Sequence, residues 1–154
     1  MWIIVDNDIS VDFFIQKKET DYAPVYKWLN AGKGKIVYGG KNRDELVQHA
    51  DVASELIDLD QAGRAYYEKD SRLLSLIESL LCSNSDYKCN DCHVLALARL
   101  SGCRILCSND KALCGDFGKR ALLGDSRGRV YKNNSHRDLL YKKNNHSSRK
   151  PNYL

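Results

Sequence analysis

Between residues 90 and 116 the chain reads NDCHVLALARLSGCRILCSNDKALCGD, and this segment leaves few folds open to it. It predicts helix, turn, strand and loop, with a carboxylate at each change of direction. Asp91 stands where a helix begins. Val94, Leu97, Ala98 and Ser101 recur at helical spacing, which predicts one buried face. Gly102 suits the left-handed conformation that ends a helix. Residues 103–107 are a short apolar run of the kind found in buried parallel strands. Asp110 follows three residues later, and Asp116 six further on. A crossover helix leaves the carboxyl edge of one strand and returns to feed the next, so its N-terminus and the next strand's end share that edge. Asp91 and Asp110 are therefore expected to meet there, where open α/β sheets bind ligands.

The rest of the chain alternates strands and helices. A strand over 2–5 ends at Asp6, a helix runs from about 9 to 18, and another covers 24–30 with Val25, Trp28 and Leu29 apolar. Residues 35–38 form a second extended segment, closed by two glycines. One long helix is expected from about 42 to 59, burying Leu46, Ala50, Ala53 and Ile57. A strand over 64–67 precedes a helix capped by Asp70 or Ser71, with a stripe of Leu73 or Leu74, Ile77, Leu80 and Leu81. Residues 129–132 are a last strand, and 136–140 a helical turn. This alternation predicts an α/β three-layer sandwich with a mostly parallel central sheet.

Composition sets the compartment and the partners. A chain of 154 residues with 43% hydrophobic and 29% charged residues suits one globular domain. The net charge of +4 is uneven, because residues 126–154 hold eight Lys/Arg and one acid. The reading is a domain over 1–132 and a basic, flexible tail over 133–154. Such a tail suits either a polyanionic partner or plain solvation. No run of about 20 apolar residues is present, so no membrane span is expected. Asp6 and Asp8 interrupt the N-terminal apolar run, which argues against a secretory leader. All six cysteines are expected reduced, in a cytoplasmic protein.

Asp6 and Glu45 belong to the same edge as Asp91 and Asp110. Asp6 ends a strand, and Glu45 lies near the start of the helix after the second strand. Singly, Asp91 reads as an N-cap, Glu45 as a charge on a helix dipole and Asp110 as a loop residue. Jointly, four carboxylates at one place repel one another and call for a counter-charge. A hard dication, Mg²⁺ or Mn²⁺, suits oxygen donors. Such an ion activates water and holds a phosphodiester.

On these residues the chain resembles the PIN-domain nucleases. That family has a strand ending in Asp (IIVD, to Asp6) and an acid on an early helix (GGKNRDEL, with Glu45). It also has D-x-x-x-L-A-x-A (here from Asp91) and a strand followed by T/S-x-D (Ser108 to Asp110), with a further Asp beside Phe (Asp116). Asp8 stands where the family often has Asn, and Asp44 beside Glu45 leaves two choices for the second acid. The resemblance implies a metal-dependent endoribonuclease, in small members the VapC-type toxin of a toxin–antitoxin pair. Asp6, Asp91 and Asp110 would hold Mg²⁺ or Mn²⁺, with Asp116 as a further ligand. Glu45 would hold an ion or orient the attacking water, and Ser108 would support the loop that aims Asp110. Lys41, Arg43 and Lys111 would meet phosphates or stay solvated. RNA, an antitoxin protein and a second copy are the implied partners. Trp28 and Tyr26 read either as that dimer contact or as core.

Three rival readings remain. Cys89, Cys92 and His93, with Cys82 nearby, outline a zinc site that lacks its second CxxC. Asp6-Asn7-Asp8 is also the DxD of aspartyl-phosphate phosphatases, whose later Lys and acidic pair are not evident. The third is a catalytically silent PIN-like module that binds RNA or protein.

Overall fold

The computed structural model describes residues 1–17 and 19–141. The order is β1 (Trp2–Val5), a 3-10 turn (Asn7–Ile9), α1 (Ser10–Phe14), α2 (Ala23–Asn30), β2 (Lys35–Gly39), α3 (Gly40–Leu46), α4 (Ala50–Gln61), β3 (Ala65–Glu68), α5 (Ser71–Cys82), α6 (Cys92–Ser101), β4 (Ile105–Cys107), α7 (Lys111–Phe117), α8 (Arg120–Leu123), β5 (Arg129–Tyr131) and a 3-10 segment (Asn134–Leu140). The five strands form one sheet in the order β3-β2-β1-β4-β5, all parallel.

Strand alternation sorts the core into two halves. Ile3, Val5, Ile36, Tyr38, Ile105 and Cys107 pack on one face with Phe13, Phe14, Trp28, Leu29, Val52 and Leu56. Ile4, Val37 and Leu106 face the other side, against Leu74, Ile77, Leu81, Leu95, Leu113 and Phe117. The expected three-layer α/β sandwich is thus present, with helices α1, α2 and α4 on one face and α5 to α8 on the other. Its central strands are apolar on both sides because both faces are covered.

Several local expectations change. The single helix over 42–59 is two helices, broken at Val47–His49, where His49 is extended at ψ 113°. The break resets the helical phase. Leu46 is buried as expected, but Val52, Leu56 and Leu59 replace Ala50, Ala53 and Ile57, and Ile57 is 56% exposed. Leu80 likewise faces solvent while Leu81 is buried. Helix α6 is buried on every side, not on one face, because α3, α5 and α8 surround it against the sheet. The loop expected after β4 is helix α7, started by Asp110, whose Oδ1 accepts the Leu113 N–H at 2.8 Å. The first helix is a 3-10 turn followed by the short α1, and its expected end at Lys18 lies outside the described residues.

The body also runs past the boundary expected at residue 132. Asn134–Leu140 is helical, and Leu140 is buried in the first core half. The expected flexible tail from 142 onward lies outside the described residues. Cys82 and Cys92 form a disulfide, against the expectation of six reduced thiols. The C-terminus of α5 abuts the first residue of α6, with the two Cα atoms 6.1 Å apart. Among the described residues no helix is long and apolar enough to cross a membrane.

Trp28 is core, packed over Gly34, where an added Cβ would fall 1.7 Å from the indole ring. Gly34→Ala is expected to push Trp28 out of place and to lower stability by about 1–3 kcal/mol, read from urea unfolding.

Candidate active site

The chain runs outward from β1 to β2 and β3 on one side, then returns to place β4 and β5 on the other. The switch point is the gap between the ends of β1 and β4, where open α/β sheets form their crevice. The two strand ends are tied there, since the Asp6 N–H donates to the Cys107 carbonyl at 3.0 Å.

Asp6 begins the 3-10 turn, and its Oδ1 accepts the Asn7 N–H at 2.8 Å. Its Oδ2 accepts the Ser108 hydroxyl at 2.8 Å. Ser108 Oγ in turn accepts the Asp110 N–H at 3.0 Å, so one buried hydroxyl sets both loops. Asp8 Oδ2 takes the Asn109 N–H at 2.9 Å from the same loop. Asn42 reaches in from α3, donating to the Val5 carbonyl at 3.0 Å. It lies one helical turn before Glu45 and so fixes the helix carrying Glu45 to the end of β1. Asn42 is fully buried, and its Oδ1 has no partner among the described residues.

Asp91 occupies the N-cap position of α6, as the sequence predicts, but its carboxylate makes no capping hydrogen bond. The Asp residues before α5 and α7 both cap, so Asp91 stands apart from the ordinary use of an acid at a helix start. Asp8, Glu45 and Asp110 each commit one oxygen to the protein and keep the other free among the described residues.

These acids share one electrostatic field. Burial, at 5% exposure, pushes Asp6 up to about 7; Ser108 opposes the rise, while the Asp8 and Asp91 carboxylates add to it. Asp91 is also raised, first by burial, with Asp110, Glu45 and Asp8 adding and His93 opposing. Burial is the first cause for both Asp6 and Asp91, and a cation beside them would ease their ionisation. The donor set, all oxygen, fits Mg²⁺ or Mn²⁺. Among the described residues, no group of three or more His, Cys, Asp or Glu side chains is arranged to hold a metal ion.

Asp116 is a correction. It is 1% exposed, its Oδ2 accepts the N–H groups of Lys88 and Cys89 at 2.7 and 2.8 Å, and its Oδ1 accepts the Lys119 ammonium at 2.7 Å. Burial alone would raise its pKa, but Lys119 and the two N–H groups hold the carboxyl below its ordinary value. Both oxygens are taken, so Asp116 anchors the loop leading to Asp91 instead of joining the rim.

The zinc reading is dispersed in the same way. Cys82 and Cys92 are bonded to each other, and the Cys89 thiol is buried and pushed up to about 11, chiefly by that burial. His93 turns to Glu45, with Nε2 3.1 Å from Oε2. Asp44 pairs with Arg43 on the exposed side of α3, and Arg43 also lies over the Tyr67 ring. Lys41 is engaged by Glu78, and Lys111 is exposed at the start of α7.

Sequence reasoning gave His93 only to the zinc reading, and it missed Asn42. His93 and Glu45 are 48 positions apart, and no spacing rule joins them. Asn42 carried a faint signal, since it lies four residues before Leu46 and so on the same buried face.

Comparison with known proteins adds no kinship: no protein-family model matches this chain, and no curated protein matches it.

Proposed function

We propose that this protein is a metal-dependent endoribonuclease of the PIN type. The reading rests first on Asp91, an acid at a helix start that does not cap its helix and lies in the field of Asp110, Glu45 and Asp8. A parallel sheet of order 3-2-1-4-5 with acids at its switch point is consistent with that family. Asp6, Asp91 and Asp110 are the residues that would hold Mg²⁺ or Mn²⁺. When bound, the ion lowers the pKa of a coordinated water and offsets phosphate charge. Ser108 holds Asp6 and the Asp110 loop in register, and Glu45 orients water or assists the ion. Phosphate contacts fall to exposed cations near the edge, Lys111 first among them.

In this reading the substrate is RNA and the setting is the cytoplasm. The further partners are those of a toxin of a toxin–antitoxin pair: a small antitoxin and a second copy of the chain. The test is incubation with short single-stranded RNAs and Mn²⁺ or Mg²⁺. Cleavage is expected, with Asp91→Asn and Asp110→Asn each losing more than the ~10–100-fold that follows from disturbing groups around a metal. RNA binding without cleavage in either metal would leave a binding module and overturn the enzyme.

A further inference from the structure

His93 is nine-tenths buried on α6, whereas its partner Glu45 is 36% exposed on α3. We propose that His93 is the positioning residue of the carboxylate rim, fixing the Glu45 carboxylate relative to Asp91. The inference rests on the nuclease reading for its link to catalysis. A half-exposed glutamate samples several rotamers, and ordering it costs conformational entropy. A hydrogen bond from the imidazole Nε2–H to a carboxylate is charge-assisted and meets that cost.

His93 is well placed for the task. It sits two residues after Asp91 on a helix buried on every side, so its backbone is held by the core. The helix start that presents Asp91 therefore also aims Glu45. The contact takes Oε2 and leaves Oε1 without a partner among the described residues. One oxygen is locked and the other is presented. A cavity of about 150 Å³, lined by Gly40, Ser71, Ser75 and Glu78, lies against the ring, so a slightly longer amide side chain has room to adjust.

The test compares His93→Leu, His93→Gln and Glu45→Ala, with kinetics on a short RNA and Mn²⁺ affinity measured by calorimetry. His93→Leu is expected to lower kcat by about 10–100-fold with little change in KM, and to weaken Mn²⁺ by about tenfold. His93→Gln, whose amide N–H still reaches Glu45, is expected to recover most of both. In the Glu45→Ala background, His93→Leu should cost nothing further, because the two act as one unit. The proposal is overturned if His93→Leu matches the native chain, if His93→Gln is as damaged as His93→Leu, or if the two losses add. Absence of cleavage, with Mn²⁺ affinity still falling in His93→Leu and recovering in His93→Gln, sinks the nuclease reading alone. Absence of both cleavage and Mn²⁺ binding sinks both.

Discussion

Asp6→Asn is expected to melt higher than the native chain at pH 8 without metal, by roughly 5 °C or more, while losing RNA cleavage. The reason is the cost of ionising Asp6 in place. Its pKa is about 7 in the folded protein against an ordinary 3.8. Over the interval between those values the folded state keeps a proton that the unfolded chain releases. The stabilising contribution is full below 3.8 and is lost as pH rises through about 7. Asparagine can still accept the Asn7 N–H and can face Ser108 through its amide, so the local bonds survive without the charge. Mn²⁺ should reverse the order, raising the melting temperature of the native chain but not of the variant. A calorimetric scan at pH 5 and pH 8, with and without Mn²⁺, checks all three effects. Equal melting of the native chain and the variant at pH 8 would mean that ionisation there costs nothing.

Asp116→Leu, which keeps the shape but has no acceptor for the Lys88 and Cys89 N–H groups, should behave in the opposite sense. It strands donors that the native carboxylate satisfies, two of them backbone N–H groups, of which that of Cys89 is buried. Lys119 is 35% exposed and can turn to water, so the loss falls mainly on those N–H groups. The expected cost is about 2–4 kcal/mol, read as a fall in melting temperature at neutral pH. The pH dependence is also reversed. The folded pKa lies below 3.8, so this stabilisation is present above that value and is lost as pH falls through the folded pKa. The variant should therefore show a flatter decline below about pH 4 than the native chain. Mn²⁺ should still stabilise it, because Asp116 is outside the rim. A variant that kept its stability but lost its Mn²⁺ response would return Asp116 to the metal site.

The two aspartates are indistinguishable by type, and each ends or follows an element that the sequence predicts. Their opposite behaviour comes from what each carboxylate meets. Asp6 meets other acids, one hydroxyl and one backbone N–H. Asp116 meets an ammonium and two N–H groups.

The same division runs through the whole chain. Apolar runs, helical spacing and Gly102, which ends α6 in the left-handed region at φ 75°, are short-range signals, and they were enough for the strands, the 91–107 unit and the parallel α/β class. Given parallel strands, crossover geometry predicts one edge for Asp6, Asp91 and Asp110, whereas Glu45 falls near the end of the short α3. The break at Val47–His49, the burial of α6 on every side and the Cys82–Cys92 pairing depend on neighbours far away in sequence. So does the choice of which carboxylate is spent on the fold and which is left over. Only tertiary structure decided these, because a buried polar group is satisfied by whatever the fold brings beside it, and those partners, Ser108 for Asp6, His93 for Glu45 and Lys88 for Asp116, lie 102, 48 and 28 positions away.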